Sequence, residues 1–262
     1  MNTYKKEFEV AYKAIKKASQ IVMEIYHDDF TINYKEDKSV VTNADFSSEN
    51  AIKEILSENF PNYAILSEEG KDNKDRLNND YCFIVDPLDG TKDFVNKTDN
   101  FSINIALSYK NEIVLGLISV PCQNIIYYAI KGQGAYKVIN NEIIKIKVSN
   151  KENDLTMLTS KFFFNDHDAY KNNPYIKEVK SIGSSYKAGL IAEGKADFCL
   201  KFDPVTKEWD TAPSEIIIKE AGGFMADIYG NQIMYNKDDV YNRNGFIIAN
   251  SYKTFLKFKA NN

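Results

Sequence analysis

The segment Asp86-Pro87-Leu88-Asp89-Gly90-Thr91-Lys92-Asp93-Phe94 follows directly on an apolar run, Tyr81-Cys82-Phe83-Ile84-Val85, and it dictates where a buried strand has to stop. Pro87 lacks an N–H and Gly90 tolerates positive φ, so the chain is expected to leave the strand and turn sharply here. Such a turn aims two carboxylates, Asp86 and Asp89, at one point and follows them with the hydroxyl of Thr91. These oxygens suit a hard divalent cation and an activated water. A plain surface turn competes with this, because Asp, Pro and Gly are ordinary turn formers.

The bulk of the chain narrows the function classes. Its 262 residues, 44% hydrophobic and 27% charged, suffice for a sizeable core, either as one large domain or as two joined halves. With 33 basic and 37 acidic residues, a net charge of −4 and no Lys/Arg block, nothing points to a nucleic-acid polymer. An anionic substrate would therefore need local compensation from metal ions or a few placed lysines. Cys82, Cys122 and Cys199 lie far apart in apolar surroundings without C-x-x-C spacing, which fits a reduced compartment. The N-terminus lacks a signal-peptide pattern, and no run approaches the ~18 apolar residues of a membrane span, so a soluble cytoplasmic protein is expected. The two histidines, His27 and His167, read as solvent-facing. Their scarcity argues against His-rich zinc sites and Ser-His-Asp chemistry, and leaves oxygen ligands.

Apolar residues at helical spacing, from Phe8 through Ala11, Ala14, Ile15, Ala18 and Val22 to Ile25, predict a first helix over 4–27. After a polar loop, a second helix is expected over 44–59, with Asp45 in its first turn where the helix dipole favours a carboxylate. Strand-like runs cover 63–67, 81–85, 101–109, 113–120 and 125–130, with a hairpin at Lys110-Asn111 and a turn at Gly132-Gln133-Gly134. Beyond residue 150 come a strand at 155–159, a helix at 186–192, a strand at 196–202, and a helix from Trp209 to Glu220 stopped by Gly222-Gly223. A strand at 245–249 and a helix at 251–258 close the chain. The expectation is an α+β unit: residues 1–150 with an antiparallel sheet and most acidic candidates, and a smaller α/β half at 151–262.

Four acidic stretches lie against these apolar elements: Thr42-Asn43-Ala44-Asp45, Ser67-Glu68-Glu69-Gly70, Asp86 to Thr91, and Trp209-Asp210-Thr211-Ala212-Pro213. Glu68 and Asp86 sit at predicted strand ends, where sheet proteins assemble sites on adjoining loops. Asp45 and Asp210 sit at helix starts and could be caps and nothing more, with Pro213 tolerated in a first turn. If the four converge, the electrostatics call for a cation. Two carboxylates about 4 Å apart repel by about 4 kcal/mol at an effective dielectric near 20. Mg²⁺ fits, because it prefers carboxylate, carbonyl and water oxygens, and the Leu88 carbonyl between Asp86 and Asp89 supplies one more.

The run Asp86-Pro87-Leu88-Asp89-Gly90-Thr91, followed by Trp209-Asp210-Thr211-Ala212 and Glu220-Ala221-Gly222-Gly223, resembles the paired signatures of the inositol monophosphatase superfamily over almost the whole chain. The resemblance implies a layered α-β-α-β-α sandwich of the inositol monophosphatase and sugar phosphatase type, and a Mg²⁺-dependent, lithium-sensitive phosphomonoesterase with two or three ions. Lys92-Asp93-Phe94, Ser67-Glu68-Glu69, Ser39-Val40-Val41-Thr42-Asn43-Ala44-Asp45 and Ile182-Gly183-Ser184-Ser185-Tyr186-Lys187 look most like the CysQ-type 3′(2′),5′-bisphosphate nucleotidases. Those enzymes act in sulfur assimilation. The implied substrate is then a small phosphorylated nucleotide, adenosine 3′,5′-bisphosphate, hydrolysed to AMP and phosphate by a metal-activated water, in a monomer or homodimer.

Carried over residue by residue, the resemblance assigns Glu68, Asp86, the Leu88 carbonyl, Asp89 and Asp210 to metal binding. It makes Asp45 and Thr91 the groups that orient and deprotonate the water, with Asp45 also in reach of a further ion. Gly90 and Thr91 would present N–H groups to the phosphate, while Ser184, Ser185 and Lys187 would hold the rest of the nucleotide. Glu69 receives no role beyond support.

Two departures from the CysQ-type pattern stand out. Ser160-Lys161-Phe162-Phe163-Phe164 replaces a polar stretch, its aromatics either stacking on an adenine or belonging to the core, with the core favoured. Pro213-Ser214 also stands where Ala-Gly is commoner. The alternatives are an inositol monophosphatase or broad sugar phosphatase on the same scaffold, or a catalytically silent sensor that binds nucleotide and metal.

Overall fold

In the computed structural model, residues 3–72, 74–160 and 173–260 are described. Helix α1 (Lys5–Tyr26) buries Ala11, Ala14, Ile15, Ala18 and Val22, the stripe that its spacing predicts, and packs on α2 (Asn43–Asn59). Between them, β1 (Ile32–Tyr34) and β2 (Val40–Thr42) form a small antiparallel hairpin, Ile32 opposite Thr42, where the sequence suggests only a polar loop.

A seven-stranded sheet follows, with strands in the order β3 (Ala64–Ser67), β4 (Tyr81–Asp89), β5 (Ser102–Tyr109), β6 (Glu112–Val120), β7 (Ile125–Ile130), β8 (Ala135–Ile139) and β9 (Glu142–Ile146). All its neighbours pair antiparallel except β3 and β4, which run parallel. Lys110 and Asn111 adopt positive φ (50° and 67°), as the tight β5–β6 hairpin requires. Both faces of this sheet are covered. Along β4, Phe83 and Val85 pack with α1 and α2, whereas Cys82 and Ile84 face the second half.

That second half carries a five-stranded mixed sheet in the order β11 (Ile176–Ser181), β10 (Leu155–Thr159), β12 (Phe198–Lys201), β14 (Phe246–Ala249), β13 (Phe224–Ala226). Helices α4 (Tyr186–Ala192) and α5 (Glu208–Glu220) fill the space between the two sheets, and α6 (Tyr252–Phe258) covers the outer face. The layers run α-β-α-β-α, as the resemblance implies. Strands β8, β9, β11 and β13 are not distinguished in the sequence: lysines or glutamates interrupt the first three, and β13 is only three residues long.

Two local expectations need correction. The strand does not end at Val85: β4 runs through the motif to Asp89. Asp86 pairs with Asn104 and Asp89 with Ser102, so Pro87 and Leu88 together oppose Ile103 in a β-bulge. The bulge places the proline where no ladder N–H is needed, and the Ser48 hydroxyl donates to the Pro87 carbonyl at 2.7 Å. The reversal comes only at Gly90, whose φ of 88° opens the short helix α3 (Thr91–Val95).

Pro213, likewise, lies in the interior of α5 rather than in its first turn. It cannot donate to the Trp209 carbonyl one turn back. The Asn104 side chain from β5 does so instead, at 3.2 Å. Of the other departure, Lys161 to Phe164 lie outside the described residues, as does His167. His27 is exposed, as expected.

Candidate active site

The bulge, the end of β3 and the starts of α3, α4 and α5 meet at a cavity of about 280 Å³ between the two sheets. Glu68, Asp86, Leu88, Asp89, Gly90, Thr91, Ser184, Ser185, Lys187 and Asp210 all line it, together with Lys92, Asp93 and Lys201. Asp45 joins from α2 through Thr91, whose hydroxyl lies 3.0 Å from Asp45 Oδ1 and 3.2 Å from the Leu88 carbonyl.

Asp86, Asp89 and Asp210 each bring one oxygen within 4.8 Å of the others. At that separation or closer each ionised pair repels by about 3.5 kcal/mol or more for an effective dielectric of 20. The Asp86 carboxyl is held well above the usual carboxylate range, first by burial and then by the charges of Glu68, Asp89 and Asp210. Burial, with Asp89 and Glu68, likewise pushes Asp210 up to about 7. Asp86 Oδ2 is buried without a hydrogen-bond partner, an orphan that a bound cation would satisfy. Three carboxylates with a carbonyl at hand form an all-oxygen donor set, the chemistry that Mg²⁺ selects.

Each carboxylate is aimed by a partner on its other oxygen. Asp45 Oδ2 accepts from the Thr42 N–H and hydroxyl, both at 2.7 Å, and Asp210 Oδ2 accepts from the Lys207 N–H at 2.6 Å. These are capping contacts at the third helical position. The two residues therefore cap their helices with one oxygen while the other remains for the site, so the capping and functional readings coexist. Burial raises the Asp45 carboxyl despite the hydrogen bonds from Thr42 and Thr91 that oppose it.

Asp89 Oδ2 accepts the Ser185 N–H and hydroxyl, both at 2.6 Å, with Ser102 and Asn104 at 3.3 Å. Ser185 thus grips the carboxylate directly. Lys187 donates to the carbonyls of Ser184 (2.8 Å) and Ile182 (3.3 Å), and burial lowers its pKa. Its ammonium shapes the turn at Ser184, whose φ of 50° is left-handed.

Glu68 stands apart from the three converging aspartates. Its Oε1 lies 3.1 Å from Lys35 Nζ, which also pairs with Glu69 Oε1 at 2.6 Å. Burial alone would lower the Lys35 pKa, but Glu68 and Glu69 outweigh it and raise it. Glu69 is pushed up to about 7 by burial, with Lys35 opposing. Sequence reasoning missed Lys35, Ser102 and Asn104, which carry no local motif and act across long stretches of chain.

The model of the inositol monophosphatase family matches residues 4–258. The chain belongs to that family. Among curated members, the 3′(2′),5′-bisphosphate nucleotidase CysQ of Haemophilus influenzae is 30% identical over 92% of this chain and 90% of its own length. The Nus factor SuhB of Pasteurella multocida is 32% identical over 84% of this chain and 85% of its own. Among solved structures, CysQ from Bacteroides thetaiotaomicron superposes with a TM-score of 0.79 at 32% identity, covering 94% of this chain and 98% of that one. The family fold accounts for the two sheets and the helical layers described above. No helix among the described residues is long and apolar enough to cross a membrane.

Proposed function

We propose that this family phosphatase is a cytoplasmic, Mg²⁺-dependent 3′(2′),5′-bisphosphate nucleotidase that releases phosphate from adenosine 3′,5′-bisphosphate and leaves AMP. The observation that carries the proposal is a cavity lined by both acidic and basic side chains. Glu68, Asp86, Asp89 and Asp210 line it together with Lys92, Lys187 and Lys201. A substrate with two separated phosphates can use both the cations held by the carboxylates and the lysines. An inositol monophosphate has no second anion for the lysines. The similarity to CysQ proteins at about 30% identity supports the same choice.

Asp86, Asp89, Asp210 and the Leu88 carbonyl would hold the ions, with Glu68 joining once it leaves Lys35. Bound there, divalent cations supply charge neutralisation and a lowered pKa for the attacking water. The chain's own groups do the rest. Thr91, hydrogen-bonded to Asp45, accepts the water proton as its own passes to Asp45, a carboxylate that burial makes more basic. The N–H groups of Gly90 and Thr91, at the start of α3, face the departing phosphate. Ser185 keeps Asp89 fixed while Ser184 and Lys187 border the remainder of the nucleotide.

Membership of the inositol monophosphatase family supports a second reading, an inositol monophosphatase or broad sugar phosphatase on the same metal centre. Phosphate release by the parent chain and by Asp89→Asn, each with Mg²⁺, with chelator and with Li⁺, tests the centre that both readings share. Chelation is expected to abolish activity, Li⁺ to inhibit it, and Asp89→Asn to fall by about 10²-fold or more. Undiminished activity in Asp89→Asn would overturn the metal assignment.

A further inference from the structure

Helix α2 reaches the ligand-bearing segments at three successive points. Asp45 meets Thr91, Ser48 donates to the Pro87 carbonyl of the bulge, and Glu49 Oε1 accepts the Ser67 hydroxyl at 2.5 Å. Ser67 is the last residue of β3 and immediately precedes Glu68.

Glu49 is only 6% exposed. Lys53, one helical turn on, pairs with it at 2.9 Å and compensates a carboxylate that would otherwise be buried unpaired beside an acidic cluster. The turn that carries Glu68 closes onto this pair. The Glu68 N–H donates to Val85 and the Gly70 N–H to Ser67. A Cβ on Gly70 would come 2.5 Å from Lys53 Nζ, so the turn lies directly against the pair. Lys35 grips the Glu68 carboxylate itself, a contact that Glu68 would give up in turning to a cation. The Glu49–Ser67 bond then remains to fix where the carboxylate can reach.

We propose that Glu49 is a positioning residue for divalent-cation binding: held by its ion pair with Lys53, it registers Glu68, through the Ser67 hydroxyl, against the bulge that carries Asp86 and Asp89. The role rests on the metal-centre reading given above and involves no contact with substrate or ion.

Calorimetric titration of the full chain with Mg²⁺, in the absence of substrate, tests it in Ser67→Ala, Glu49→Gln and Glu49→Ala. Binding is expected to weaken about tenfold in Ser67→Ala and Glu49→Ala, the usual scale for a partner standing behind a metal ligand. Glu49→Gln keeps the size and one acceptor and should fall between them and the parent. The rate at saturating Mg²⁺ should stay within about twofold of the parent, because the defect lies in metal affinity. If Glu49→Ala does not fold, Ser67→Ala decides alone. Unchanged affinity in Ser67→Ala overturns the proposal, as does a lowered saturated rate at unchanged affinity. A parent chain that binds no Mg²⁺ overturns both this role and the metal centre. Weakened binding in a chain that hydrolyses no phosphate ester would leave the positioning role standing and remove the enzymatic one.

Discussion

The Thr91 hydroxyl sits 3.0 Å from Asp45 Oδ1 although the two residues are 46 positions apart and begin different helices. Thr42 occupies the other Asp45 oxygen, so the carboxylate has one orientation and a single side on which to take a proton. Replacing Thr91 by Ala is expected to lower kcat by about 10²- to 10⁴-fold, the usual contribution of a positioned proton acceptor. The Mg²⁺ concentration for half-maximal activity should change little, and Thr91→Ser should restore much of the rate. Steady-state phosphate release at several Mg²⁺ concentrations separates the two effects.

Asn104 serves two clients with one amide, the Trp209 carbonyl left open by Pro213 and the Ser185–Asp89 pair. Asn104→Ala should cost about 1–3 kcal/mol in guanidinium unfolding, because buried acceptors lose their donor. Adding Pro213→Ala gives the Trp209 carbonyl a helical N–H and should recover part of that loss. Additive destabilisation by the two substitutions would contradict the assigned pairing.

The acidic cluster makes stability depend on pH. Folding raises the Asp86 carboxyl, and carries Asp210 up to about 7, above unfolded values near 4. Raised acids bind protons more tightly in the folded chain. Their contribution is fully present below about pH 4 and is lost as pH rises through about 7. Glu69 and Glu215, both pushed up to about 7 by burial, act with the same sign. In chelator, Tm should therefore fall between pH 5 and pH 8. Saturating Mg²⁺ should flatten that slope, leaving the share due to Glu208, which burial also pushes up to about 7 against the Asn236 and Lys237 N–H groups, and to Glu215, beside Glu112 and Lys219. Scanning calorimetry across the range, with and without Mg²⁺, checks both statements.

Much of the candidate site is legible in local sequence because each acidic segment carries its own chemistry. A proline that needs no ladder partner, a glycine at positive φ and acids at helix starts all declare themselves within a few residues. The groups that aim those ligands do not. Asn104 reaches Trp209 across 105 positions, Ser185 reaches Asp89 across 96, and Lys35 reads as a solvated charge in a polar loop. Glu49 looks like any exposed helix carboxylate until β3 is placed beside α2. The same limit hid the bulge. Pro87 signals a break in hydrogen bonding, and only the pairing with β5 shows that the strand resumes beyond it. Strands β8 and β9 were obscured because polarity and burial part company there: Lys137 is buried in β8, and Ile143 and Ile144 are exposed in β9.

A nucleotide with two phosphates is the substrate proposed for the cavity that Glu68, Asp86, Asp89 and Asp210 line together with Lys92, Lys187 and Lys201. Initial rates of phosphate release, measured side by side from adenosine 3′,5′-bisphosphate and inositol 1-phosphate at saturating Mg²⁺, test it most directly. The bisphosphate should be hydrolysed much the faster. Equal rates, or a preference for the inositol ester, would contradict the account.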